Sequence, residues 1–258
     1  MYSLIKTSST DNVLTITLNR PEKRNAFTPN MLAEIADAIL IANEDKDIWV
    51  VVFKAEGSVF CAGMDLRVFE NPDLEIQNKS LPLTEKSLGE IVASLNKPSI
   101  AILSASVYAG GFLLVGECNF VLATPEVTFS LPEVKRGVFP FQVMQTLKKS
   151  MSQKKVMEWC ISNKVYTTEE AFKDGFVTQI VPRLEIDFAE KELVDNIKMG
   201  SPFAISKGII IHRDMYDKTK EISYSSLKNE LRNLKNSKDT KEGLLAFNEK
   251  RKPIWKNK

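Results

Sequence analysis

Ile48-Trp49-Val50-Val51-Val52-Phe53-Lys54 leads into Phe60-Cys61-Ala62-Gly63-Met64-Asp65-Leu66. The first run is β-branched and almost continuously apolar, which predicts a strand covered on both faces. The second is a glycine-containing turn just after it. The same arrangement returns further along: the strand candidate Ser99–Leu103 precedes Tyr108-Ala109-Gly110-Gly111-Phe112, and an apolar helical run follows. Glycine lets the backbone turn tightly and lets a ligand approach its N–H groups. Two such turns facing each other would aim two N–H donors at one oxygen, an arrangement that stabilises charge developing on a carbonyl. A helix start behind the second turn adds positive dipole. Spacing alone favours the plainer reading, two tight strand-to-helix turns.

Working outward, Val13–Leu18 alternates apolar and polar residues as a half-buried strand does. Asn119–Ala123 and Val177–Val181 are further strand candidates, the latter ended by Pro182. Thr28-Pro29 supplies an N-cap and a proline at the first helical position, and Leu32, Ile35, Ala36 and Ile39 then share one face. Ser201-Pro202 opens a helix in the same way. Thr167-Thr168-Glu169-Glu170 and Asp239-Thr240-Lys241-Glu242 fit the capping pattern of a short polar residue with Glu three places on. From about Asp187 the chain reads as helical and strongly charged. Residues 1–185 are therefore expected to form an α/β core and residues 186–258 a helical C-terminal region. Arg67–Glu90, with two prolines and mixed polarity, is expected to be a mobile loop leading into a helix. No sequence repeat is evident.

The composition narrows the function classes. Among 258 residues, 35 Lys+Arg nearly balance 33 Asp+Glu. A net charge of +2 gives no reason to expect nucleic acid or an anionic membrane as partner. Met1–Asp11 lacks the apolar run of a secretory signal, and no apolar stretch approaches the ~20 residues of a membrane span. Cys61, Cys118 and Cys160 show no CxxC spacing, so neither a disulfide framework nor a metal site is expected, and reducing cytoplasm is the expected compartment.

Five segments, in order, resemble the crotonase superfamily, the enoyl-CoA hydratase/isomerase group. They are Asn19-Arg20-Pro21-Glu22-Lys23-Arg24-Asn25-Ala26, Phe60–Leu66, Ala109-Gly110-Gly111, Leu131-Pro132-Glu133, and Lys241-Glu242-Gly243 through Ala246-Phe247-Asn248-Glu249-Lys250-Arg251-Lys252-Pro253. The resemblance implies a spiral of repeated β-β-α units and a C-terminal helical trimerisation region, hence a homotrimer or dimer of trimers. It implies acyl-CoA thioester substrates, with coenzyme A as part of the substrate and no separate cofactor. By carry-over, the Met64 and Gly110 N–H groups hold the thioester oxygen. Met64, Asp65, Leu66 and Arg67 would line the coenzyme A entrance, and Ala26, Ala62, Gly111, Leu113 and Phe141 are further candidate substrate-binding residues. Arg24 and Lys250 are candidate phosphate contacts; a solvated surface cation is the alternative for each.

The chain departs from the hydratase pattern at one decisive place. Hydratases of the family use two glutamates, and the first falls at Leu113 here, which cannot transfer a proton. Glu117 lies one helical turn further on and is a poor substitute. Glu133 remains as the expected acid/base, with a pKa raised by an apolar acyl pocket. One carboxylate suits a double-bond shift from the 3- to the 2-position better than hydration. Leu113 and Phe141 stand where dienoyl isomerases carry aspartates, which argues against that reaction. A non-catalytic acyl-CoA-binding protein and a tailoring enzyme acting on carrier-protein thioesters are the alternatives. His212, the only histidine, has no GxSxG partner motif and is expected at a surface or interface, and Cys61 is expected to pack rather than react. Trp49, Trp159 and Trp255 are expected in core or interface.

Overall fold

The structure, a computed structural model, describes residues 2–75, 81–216, 233 and 235–258. The chain divides into two compact units: Met1–Leu95 with Ser99–Glu190, and Asn96–Pro98 with Lys191–Lys258.

The first unit is built on two sheets. Strands β1 (Ile5–Thr10), β2 (Val13–Leu18), β3 (Val50–Ala55), β5 (Ser99–Leu103), β7 (Phe120–Ala123) and β10 (Gln179–Ile180) form a six-stranded sheet in that order. Strands β4 (Val59–Cys61), β6 (Ser106–Tyr108), β8 (Thr128–Ser130) and β9 (Val165–Thr167) form a second sheet in that order. All pairs are parallel except β1 with β2 and β8 with β9. Three strand pairs, β3–β4, β5–β6 and β7–β8, each send their first member to the large sheet and their second to the small one. A helix follows each pair: α2 (Leu66–Glu70), α4 (Phe112–Val115) and α5 (Phe141–Leu147). This is a β-β-α spiral repeated in structure without repetition of sequence. Val50–Phe53 and Ser99–Leu103 are buried throughout, as central parallel strands require.

Local chemistry sets the element ends. Thr28 Oγ1 accepts from Met31 N at 3.2 Å to start α1 (Pro29–Glu44). Glu34, fully buried on that helix, accepts from the backbone N–H groups of Ser3, Leu4 and Ile5 and from the Ser3 hydroxyl, and so anchors the start of β1. Thr167 and Glu170 form a complete capping box at α7 (Thr168–Lys173), as their spacing predicts. Behind α4, the rings of Phe112, Phe129, Trp159 and Phe176 interlock, and Trp159 on α6 (Gln153–Ile161) stacks on Tyr166 with centroids 3.9 Å apart. Trp159 Nε1 donates to Asp174 at 2.8 Å, so this cluster fixes the short helix that carries the second glycine turn.

The sequence reading is corrected at several points. Val177–Val181 contracts to the pair Gln179–Ile180, because Val177 N donates to Ala171 O at the end of α7 instead of to a ladder. Arg67–Glu90 is not one loop: it begins inside α2, adds a 3-10 turn at Pro72–Leu74, and reaches α3 (Leu88–Ala93) through a Ser87/Glu90 capping box. Residues 76–80 of it lie outside the described residues. In the second unit, α9 (Pro202–Tyr216) starts at Ser201-Pro202 as expected, with Ala204 N donating to the Ser201 hydroxyl. Asp239, however, is no N-cap. Ser237 caps the helix Lys238–Glu249, and the buried Asp239 carboxylate accepts from Ser201 Oγ at 2.8 Å and Lys256 N at 2.7 Å. Helix α8 (Ile186–Lys198) runs across the division between the units. Among the described residues no helix is long and apolar enough to cross a membrane.

Candidate active site

The three chemistry-bearing segments leave the same end of one sheet. Strands β4, β6 and β8 are parallel neighbours, with Cys61 opposite Val107, Val107 opposite Phe129 and Tyr108 opposite Ser130. The residues just beyond their C-terminal ends are Met64, Gly110 and Glu133. Register alone therefore brings together three positions spread over 70 residues of chain.

Met64 pairs with Phe27 in an isolated parallel bridge. Phe27 N donates to Gly63 O at 2.8 Å and Asp65 N donates to Phe27 O at 2.9 Å. A strand residue flanked by those two bonds turns its own N–H to the opposite edge, and here that edge is the side of β6 and the second glycine turn. Gly63 has φ +90°, and a Cβ there would stand 2.8 Å from both Gly110 N and Ala109 Cβ. A Cβ on Gly110 would stand 2.9 Å from the Phe27 ring. The two turns are thus in contact, and only glycine fits where they meet. A helical stretch runs from Ala109 to Val115 behind Gly110. The two turns, separate in sequence, meet in the fold.

One ion pair sequence reasoning passed over holds this arrangement. Arg20, 9% exposed, donates through Nη1 to Asp65 Oδ2 at 2.9 Å and to Ala26 O at 3.0 Å. Burial would raise the Asp65 pKa, but the Arg20 hydrogen bond and charge, with help from Val68 N–H and Arg67, bring it below the ordinary carboxylate value. Asn25 locks the same loop, accepting from Arg20 N and donating to Glu56 O and Val59 O. Both residues stand in the Asn19–Ala26 motif; their being charged or amide residues in a turn was the available signal, and burial was the missing information.

Arg24, Ala26, Ala62, Met64, Asp65, Leu66 and Arg67 all line one cavity of about 450 Å³, together with Glu22 and Lys23. Met64–Arg67, expected around the coenzyme A entrance, therefore share one cavity with the candidate phosphate contact Arg24 and with Ala26 and Ala62. Asp65 takes part through its position, since its carboxylate is committed to Arg20. Lys250 caps the helix Lys238–Glu249 in the second unit with φ +53° and is exposed.

Gly111 is packed against Cys61, where a Cβ would lie 2.8 Å from the Cys61 carbonyl oxygen. Leu113 is 4% exposed and shares a second cavity of about 520 Å³ with Phe141 on α5 and Gly89 on α3. Glu117 also lines it, but its carboxylate accepts from Lys149 Nζ at 2.7 and 2.5 Å and from Thr146 Oγ1 at 3.1 Å. It is held as half of an ion pair. Glu133 opens a 3-10 turn after Leu131-Pro132, with Oε2 buried. It faces Cys160 on α6, whose thiol is pushed up to about 11 by burial and then by the Glu133 charge. Cys61 is buried, donates to Asn25 O, and has its thiol pushed up to about 12 by burial, so it packs as expected. His212 is exposed on α9. Trp159 is core, Trp49 donates to Lys46 O and Trp255 to Met199 O.

Two glycine turns in contact and a half-buried carboxylate beyond the ends of parallel strands sit on an α/β enzyme scaffold of the crotonase fold. A family model described as enoyl-CoA hydratase/isomerase matches residues 8–258, and the chain belongs to that family, whose members act on acyl-CoA. It is 30% identical over 257 residues to a carnitinyl-CoA dehydratase of Escherichia coli O157:H7, with 96% of each chain covered. It is 29% identical to a probable mitochondrial enoyl-CoA hydratase of Dictyostelium discoideum, covering 94% of this chain and 87% of that one. Among solved structures, a probable enoyl-CoA hydratase/isomerase from Mycobacterium abscessus superposes with a TM-score of 0.86 at 25% identity, with both chains fully covered.

Proposed function

We infer that this enzyme shifts the double bond of 3-enoyl-CoA thioesters to the 2-position in preference to adding water, with Glu133 as its single acid/base. The observation that carries the reading is Leu113. It is apolar and buried one helical turn beyond Gly110, and the neighbouring carboxylate, Glu117, is occupied by Lys149 and Thr146.

In this reading the thioester oxygen accepts from Met64 N–H and Gly110 N–H. Polarisation acidifies the C2–H bond. Glu133 takes the C2 proton, the electron pair moves into a dienolate whose charge rests on the thioester oxygen, and the same carboxyl returns the proton at C4. One C–H bond breaks and one forms, so the reaction balances without water or an oxidant. Each N–H donor is worth about 3 kcal/mol in such a transition state.

Water addition or loss is the reading favoured by the names of the relatives. It calls for a second group to orient the water, and Leu113 cannot serve. Offering the purified protein 3-enoyl- and 2-enoyl-CoA separately, with products resolved by chromatography and mass spectrometry, decides between them. Interconversion of the two, lost in Glu133→Gln while acyl-CoA still binds, supports isomerisation. Net addition of water overturns it. Binding without turnover of either indicates an acyl-CoA-binding protein, and turnover only of thioesters on a carrier protein indicates a tailoring enzyme. Assembly as a homotrimer or dimer of trimers belongs to the same proposal and is read by light scattering.

A further inference from the structure

The cavity beyond Leu113 is chemically two-sided. Leu113 and the exposed ring of Phe141 form its apolar part. Its other wall is a polar stripe along α5 and the turn after it: Gln142, Gln145, Thr146 and Lys149, spaced to fall on one helical face. Leu113 follows Gly110 by three residues of continuous helical backbone, about 5 Å of rise. A chain whose carbonyl sat at Gly110 N–H would pass Leu113 and end against this stripe.

We propose that this cavity receives the far end of the acyl chain and selects chains that carry a neutral hydrogen-bonding group there, such as a hydroxyl; the inference rests on Met64 and Gly110 holding the thioester oxygen. A plain alkyl end would strip water from two glutamine amides and an ion pair and return no hydrogen bond. A carboxylate end would meet Glu90 and Glu117, with Lys149 as the one cation among the described residues lining the cavity. Lys149 is already engaged with both Glu117 oxygens. A hydroxyl both donates and accepts, which matches the carboxamides of Gln142 and Gln145 and the remaining N–H of Lys149.

The test is calorimetric titration of the full chain with three saturated thioesters that cannot react: hexanoyl-CoA, 6-hydroxyhexanoyl-CoA and adipoyl-CoA. The hydroxylated ligand is expected to bind about five-fold more tightly than hexanoyl-CoA, the worth of about one net hydrogen bond, and adipoyl-CoA most weakly. In the double variant Gln142→Leu, Gln145→Leu, both positions being solvent-exposed on α5, hexanoyl-CoA binding is retained and the hydroxyl advantage disappears. Equal affinity for hexanoyl and hydroxyhexanoyl chains, an advantage that survives in the double variant, or preference for adipoyl-CoA each overturns the proposal while leaving the thioester site intact. Failure of all three to bind removes the thioester site itself, and this inference with it.

Discussion

Arg20→Met is the substitution that most directly tests how the first glycine turn is held. The guanidinium bridges the Asp65 carboxylate and the Ala26 carbonyl, with the two ionic side chains only 11% and 10% exposed. Methionine fills much of the space but leaves a buried carboxylate without its counter-charge and a carbonyl without its donor. Breaking a buried pair from one side costs about 3–5 kcal/mol. For a chain of this size that lowers Tm by roughly 10 °C. The sign of the pH dependence follows from Asp65. Its folded pKa lies below the ordinary value in the native protein, so its contribution is present above the unfolded pKa of about 4 and is lost as pH falls through the folded value. In Arg20→Met the opposing influence, burial, is left unbalanced, and protonation of Asp65 becomes the relief. The stability deficit of the variant should therefore be full near pH 7 and shrink as pH falls toward 4. Because Asp65 N–H and Gly63 O both bond to Phe27 on either side of Met64, kcat should fall about ten-fold or more, with a smaller change in KM. Thermal melts across pH, paired with initial rates, read both effects. A variant that melts and turns over like the native protein, or whose deficit does not vary with pH, would refute the reasoning.

Gly63→Ala should cost about 1–3 kcal/mol in a denaturant titration and most of the turnover, because its Cβ would stand 2.8 Å from Gly110 N with φ at +90°; native-like rates would show that the two turns need not touch. With the Cys61 and Cys160 thiols pushed up to about 12 and 11, a disulfide-exchange reagent at pH 8 should label neither until the chain is unfolded. Rapid native labelling of Cys61 with matching loss of activity would restore a nucleophilic role for it. Leu113→Glu places a carboxylate where family hydratases carry one, and water addition to 2-enoyl-CoA should rise about ten-fold or more, at a stability cost of several kcal/mol for a charge buried at that site; unchanged hydration in a folded variant would show that Leu113 is not what limits it.

The centre of the large sheet was legible because β3 and β5 are buried on both faces. Val50–Phe53 and Ser99–Leu103 read as continuous apolar runs, and Thr28, Ser201 and Thr167 announce their helices by side-chain chemistry that acts within one turn. The small sheet was not. Its members are each three residues long, as in Val59–Cys61 and Thr128–Ser130, too short for any period to show. Strand β1 escaped because its residues after Ile5 are polar and exposed; it is held by antiparallel pairing to β2 and by the buried carboxylate of Glu34, neither of which its own sequence encodes. Asp239 misled for the opposite reason: an aspartate near a helix start reads as a cap, and only the fold shows it buried and accepting from Ser201 and Lys256.

The site divides along the same line. Gly63 answers a local demand, its φ of +90°, whereas Gly110 is required by the closeness of Phe27 and Gly63, which depends on the β4–β6 register. Glu133 could be named only through the family motif, since a Pro-Glu turn has no signal of its own; register then puts it at the same sheet end as Met64 and Gly110. Glu117 shows most plainly why residue type underdetermines chemistry. A glutamate one turn from the missing hydratase carboxylate invites a catalytic role, and it does line the cavity beside Leu113. Its side chain is 7% exposed and held by an ammonium at 2.5 Å, so the charge it carries is already balanced. Its oxygens are taken up by Lys149 and Thr146, which leaves it no free role beside Leu113 despite its position. In the proposed reaction Leu113 leaves one carboxylate, Glu133, and Lys149 occupies the other glutamate nearby, Glu117.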